Sequence, residues 1–140
     1  MRYLAKRVER ICDELYRLRI VQRIPLTDLI CKKGTYIRPE AADAATPPWT
    51  SFDSRTMHWY GPDEHYWFRT EFTVPKALNG KAMWLNVRTQ IEGDDGKNPQ
   101  FLLFVNNVPV QGMDMNHRDV LLSPKAISGE KLVFDLQAYT

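Results

Sequence analysis

The stretch HYWFRTEFTVP, residues 65–75, decides how this chain is read. Its residues alternate as in a half-buried strand, where successive side chains point to opposite faces. Tyr66, Phe68, Phe72 and Val74 share one face, while His65, Arg69, Glu71 and Thr73 take the other. Trp67 is the exception, an aromatic ring on the polar face, and Pro75 ends the run. Such a strand forms either the wall of an active site or the edge of a β-sandwich core. The scarcity of catalytic groups elsewhere favours the core.

Reading towards the C-terminus, the pattern stays β. Asn79-Gly80 is a turn signal, because both residues tolerate positive φ. In residues 81–91, Met83, Leu85, Val87 and Ile91 oppose Asn86, Arg88 and Gln90, and EGDDGKNP (92–99) reads as a loop. QFLLFV (100–105) is apolar on both faces, as in a central strand. Asn106-Asn107 predicts a second turn, VPVQG (108–112) returns, and RDVLL (118–122) follows. KLVFDLQAY (131–139) closes with Leu132, Phe134, Leu136 and Ala138 aligned. Nothing after Trp49 carries a helical period, which a parallel sheet with crossover helices would need. The expectation is a mainly β chain: an antiparallel β-sandwich, jelly-roll-like, over residues 49–140. Strand-like residues running straight to Thr140 add the expectation of a piece of a longer protein.

Ahead of the sandwich, residues 1–24 read as one N-terminal amphipathic α-helix. Leu4, Val8, Ile11, Leu15 and Leu18 recur at spacings of four, three, four and three, with Arg7, Arg10, Glu14 and Arg17 largely outside the stripe. The stripe calls for a partner surface, either in this chain or elsewhere in a larger polypeptide, and ordinary core packing is favoured. Residues 25–48 open with Pro25, offer a short strand or two around Gly34, and continue as PEAADAATPPW with paired prolines. They read as an extended connector, open to proteases.

Composition narrows the function classes. With 140 residues, 44% hydrophobic and 26% charged, the chain supports one ordinary folded domain. No apolar run approaches the roughly 20 residues that span a bilayer. The charged N-terminus lacks the apolar centre of a signal peptide. No membrane contact and a cytoplasmic location are therefore expected. Cys12 and Cys31 are too few for a disulfide framework, and Cys12, on the apolar side of the helix, is expected as a packing thiol. Residues 1–38 hold ten Lys and Arg against four Asp and Glu, a net of +6, and the remainder a net of −4. No stacking platform accompanies the basic residues, so no nucleic-acid partner is expected.

Catalytic chemistry finds little purchase. His58, His65 and His117 lack the spacing of a metal helix motif, and Asp63-Glu64-His65 reads as a solvated turn. Asp94 to Asn98 lacks the spaced acids of a calcium loop. There is no Gly-x-Ser-x-Gly and no glycine-rich phosphate cradle. No catalytic residue, metal ligand or cofactor is assigned to this chain. The densest polar stretch is QGMDMNHRDVLL, 111–122, where Asp114, Asn116, His117 and Arg118 form either a hydrogen-bonded loop or a carbohydrate or interdomain contact. Trp67 joins them as the aromatic expected to face a neighbouring domain. Trp49, Trp59, Trp67 and Trp84 offer rings for sugar stacking, although a domain usually buries most of its tryptophans.

Taken in order, HYWFRTEFTVP, NPQFLLFVNNVPVQGMDMNHRDVLL and LVFDLQAYT resemble the segment before the catalytic barrel in α-mannosidases of glycoside hydrolase family 38. The likeness runs from about Trp49 to Thr140 and, more loosely, through the leading helix. Asn107 stands where the family often has glycine. The resemblance implies a non-catalytic accessory β-sandwich of an enzyme that hydrolyses terminal α-D-mannosyl residues. It further implies a catalytic domain of the same polypeptide as partner, zinc held by that domain, contact with mannose-containing oligosaccharide and a homo-oligomeric parent. The nucleophile and zinc ligands of the family lie in the barrel, so none is carried onto residues 1–140. A more distant likeness, through the Trp-x-Arg strand ending in Val-Pro, is to the sugar-binding sandwich of β-galactosidase-type enzymes. An independent carbohydrate-binding module is the alternative function.

Overall fold

The computed structural model describes residues 2–91, 94–95 and 99–140. Residues 65–75 set the architecture, as strand β3 (His65–Thr73) lies inside the main sheet with partners on both sides. β10 (Lys131–Tyr139) pairs antiparallel with it along its whole length, Leu136 opposite Phe68 and Asp135 opposite Arg69. Its other neighbour is β1 (Asp28–Lys33), with Cys31 opposite Phe68. β2 (Thr50–Asp53), β7 (Gln100–Val105) and β8 (Val108–Met113) complete six strands in the order β2-β1-β3-β10-β7-β8. The chain is mainly β and antiparallel, as its alternation predicts.

A short second sheet, β4 (Met83–Asn86) with β9 (Asp119–Ser123), faces this one and makes the sandwich. Met83 and Val120 point inward to meet Phe68, Leu103, Met113, Leu132 and Phe134 in a single buried cluster. Trp59 sits among aromatic edges there, 5.4 Å from Phe68 and 5.8 Å from Phe101. Removing a ring such as Phe68 from water contributes about 1.5–3 kcal/mol. A further pair of two-residue strands, β5 (Gln90–Ile91) and β6 (Asp94–Asp95), stands apart from both sheets. The acidic run at 94–98 thus falls largely outside the described residues.

Two turns follow their chemistry. Asn106 and Asn107 have φ of 50° and 67° and join β7 to β8 as a two-residue connection, the positive-φ pair that a type I′ hairpin demands. At 79–80 only the glycine crosses over. Asn79 keeps φ −55°, ψ 127° and Gly80 takes φ 73°, while Lys81 N donates to Leu78 O at 3.0 Å, a type II turn.

The 25–48 region departs from the expected connector. It contributes β1 to the sheet interior and α2 (Pro39–Ala44), whose Pro39 and Ala42 are buried against the sheet's outer face. The paired prolines lie after this helix and interrupt no strand. The short strand expected beside Gly34 forms as β1, with Lys32 a buried face residue in it. The leading helix α1 (Arg2–Leu18) departs in the opposite sense. Core packing was favoured for its stripe, yet Leu4, Val8, Ile11, Leu15 and Leu18 are all about half exposed or more. Cys12 is exposed with them instead of packing.

Candidate functional site

The six-stranded sheet has an outer face, and Trp67 lies on it with Lys32, Arg69, Asp135, Gln137 and Phe104. Trp67 is 0% exposed, stacked in a tilted contact 5.6 Å from Phe104 and covered by Ala42 of α2. The expectation that it faces a neighbouring domain is therefore corrected. The partner surface it calls for is supplied by α2 of the same chain.

Around it the polar groups form a clamp. Arg69 gives two hydrogen bonds to the Asp43 carboxylate, at 2.7 and 3.2 Å, and one through Nε to Asp135 at 2.6 Å. Its guanidinium lies 4.7 Å from the Trp49 ring centre, and the Trp49 indole N–H donates to Asp43 at 3.0 Å. Lys32, almost fully buried, donates through Nζ to the carbonyls of Ala42 and Ala45, the last turn of α2. Gln137 donates to Tyr36 O at 2.9 Å. Burial pushes the Asp135 carboxyl above its ordinary range, against the opposing pull of Arg69. Among the described residues Asp135 Oδ2 and Trp67 Nε1 find no hydrogen-bond partner. Arg69, held by two carboxylates and a ring, is fully committed to fastening α2, so this cluster is structural.

The 111–122 region is also internally bonded. Asp114 Oδ1 accepts from the backbone N–H groups of Asn116 and His117, both at 2.7 Å, and lies 3.0 Å from His117 Nδ1. Those backbone donors hold the Asp114 carboxyl below the usual carboxylate range. Arg118 donates from Nε to Met115 O. The side chain of His117 remains 72% exposed and that of Asp114 42%. Asp119 accepts from Asn86 at 2.9 Å, while His117 meets Asp114. Asp63-Glu64-His65 fastens one end of the sheet's central strands. Tyr139 O–H donates to Asp63 at 2.6 Å, Lys33 pairs with Glu64 at 2.7 Å, and the His65 ring lies 4.9 Å from that of Tyr139. Among the described residues no three His, Cys, Asp or Glu converge as a metal site.

The surface best built for contact is the solvent face of the short sheet. Met83 and Leu85 turn inward, so Trp84 and Asn86 turn outward, and Trp84 is 58% exposed beside its register partner Leu121. Next along the strand, Arg88 Nε donates to Asn86 Oδ1 at 3.1 Å, and Asn86 donates in turn to Asp119. Val87 N donates to Arg118 O at 3.0 Å and ties the 114–118 turn to the same end. On its other flank Leu121 borders a groove of about 240 Å³ lined also by Met83, Val105, Val110, Ile127 and Leu132. An exposed ring, an amide, a carboxylate and a guanidinium in one row can stack on an apolar ring face and hydrogen-bond hydroxyls. Of the four tryptophans, Trp84 alone combines high exposure with such neighbours. Sequence reasoning had the signal, since Trp84 lies between inward Met83 and Leu85, but it singled out Trp67 instead.

Among the described residues no helix is long and apolar enough to cross a membrane. Comparison with protein-family models, with curated proteins and with solved structures finds no match.

Proposed function

We propose that this chain is a non-catalytic accessory β-sandwich of a cytoplasmic α-mannosidase of the family 38 type. The outer face of β4 and β9 would be its contact surface with the catalytic domain of the same polypeptide. One observation carries the reading: the clustered polar groups are engaged in holding the fold. Arg69, Asp135 and Asp43 clamp α2, and Asp114 ties its own turn, while Trp84 and Leu121 stand free on one face. The order of motifs from Trp67-Phe68-Arg69 through Asp114-x-Asn116-His117-Arg118 adds the family. Zinc would be held by the catalytic domain of such an enzyme.

Two experiments test it. The purified chain should release no chromophore from a chromogenic α-mannoside with or without zinc, and zinc-dependent turnover would overturn the reading. The source gene should encode a catalytic barrel after Thr140, and an unrelated downstream sequence would equally overturn it. The alternative, a carbohydrate-binding module, is favoured by the Trp84–Asn86–Asp119 row alone. It predicts a saturable tryptophan fluorescence change with millimolar manno-oligosaccharide that disappears in Trp84→Ala.

A further inference from the structure

The exposed stripe of α1 has a geometry of its own. Its four-three-four-three spacing averages 3.5 residues, the repeat of a two-stranded coiled coil and not the broader face of a helix lying on a sheet. Among the described residues the stripe stays about half exposed or more along its whole length. Its flanks differ in chemistry: one carries Arg7 and Glu14, separated by a full heptad, and the other carries Ala5 and Cys12.

We propose that α1 pairs antiparallel with α1 of a second copy of this chain. A two-fold axis across the helices brings each flank against the same flank of the partner. With the axis between Glu9 and Arg10, Val8 meets the partner's Ile11 and Leu4 meets the partner's Leu15. Arg7 then lies opposite the partner's Glu14, and Glu14 opposite the partner's Arg7, so the symmetry yields two ion pairs from one. The opposite flank sets Ala5 against the partner's Cys12, small residues that let the helices approach. A parallel pairing would instead place Arg7 against the partner's Cys12 and Glu14 against the partner's Arg19, leaving Arg7 without a counter-charge. The self-complementary charges favour the antiparallel form.

The seam is short. A seam of four layers is small beside the about 1,200 Å² at which stable complexes begin, so the dimer is weak and concentration-dependent. This inference uses a different face from the proposed accessory role and stands or falls separately from it.

Sedimentation equilibrium of the full chain from about 10 µM to 1 mM at low ionic strength tests it, because screening weakens exposed pairs. The parent chain should pass from monomer to dimer. Arg7→Glu and Glu14→Arg should each weaken association by about tenfold, since each sets like charges opposite one another twice. The double variant should return to within about threefold of the parent, and Ile11→Asp should remain monomeric. A monomer throughout, an Arg7→Glu variant that associates normally, or a double variant no better than the single ones would each overturn the proposal. A drop in the sandwich's melting temperature in Ile11→Asp would do the same, as it would place the stripe on the body.

Discussion

Replacing Trp67 by phenylalanine isolates what its indole nitrogen costs. The ring is fully buried between the sheet and α2, and its N–H finds no acceptor among the described residues. Shrinking indole to benzene removes about 40 Å³, and the resulting void costs about 1 kcal/mol. An unsatisfied buried donor costs about 1–3 kcal/mol, and that penalty disappears with the nitrogen. The two nearly cancel. Trp67→Phe should therefore lie within about 1.5 kcal/mol of the parent, whereas Trp67→Ala should lose about 3–5 kcal/mol. Equilibrium urea unfolding followed by far-ultraviolet circular dichroism measures both without relying on the fluorescence that the change removes. If Trp67→Phe loses as much as Trp67→Ala, the nitrogen is well bonded in the folded chain and the reasoning fails.

Phe68→Ala should cost about 3–5 kcal/mol in the same assay, because its ring packs edge-on to Phe52 at 5.0 Å and to Trp59. A loss no greater than that of the exposed Leu121→Ala would contradict the core assignment. Asp135 makes a prediction about pH. Its folded carboxyl binds a proton more tightly than the unfolded one, so the folded state gains protons between the raised value and the ordinary one. Its contribution to stability should therefore grow as pH falls through that window and shrink as pH rises. The difference in melting temperature between the parent and Asp135→Asn, followed from pH 7 to 4, should move in the parent's favour on acidification, and the opposite slope would refute it. Asp114 should behave inversely: its stabilisation is present above the ordinary carboxylate range and lost as pH falls through the depressed value. Arg118→Ala should lower the melting temperature by loosening the 114–118 turn, and an unchanged value would count against a structural role there.

Alternation made most of the sandwich legible. Tyr66, Phe68 and Phe72, then Leu132, Phe134, Leu136 and Ala138, sit where period two places them. The central position of QFLLFV followed from its two apolar faces, Leu103 inward and Phe104 outward. Trp67 was visible as an anomaly, but its cover was not. Pro39 to Ala44 shows no helical stripe, because a helix this short needs only Ala42 to fit against the ring. A short strand near Gly34 was legible, but its place inside the sheet was not: Lys32 looks like a solvent residue until two carbonyls and two aromatic rings are found around it. The α1 stripe was legible as a pattern, but a spacing names no partner. Trp84 could have been separated from the other tryptophans by its inward neighbours alone.

At six residues α2 is far too short to persist by itself, so it exists only while the sheet holds it. Its first-turn amides, Ala41 and Ala42, both rest on the Arg38 carbonyl at 3.1 and 3.2 Å, and its last turn hangs on Lys32. The native state should accordingly breathe in two tiers. Deuterium would enter Ala41 and Ala42 long before the amides of Phe68 or Leu136, and each such excursion would briefly uncover Trp67 to a dissolved quencher while the rest of the molecule stayed shut.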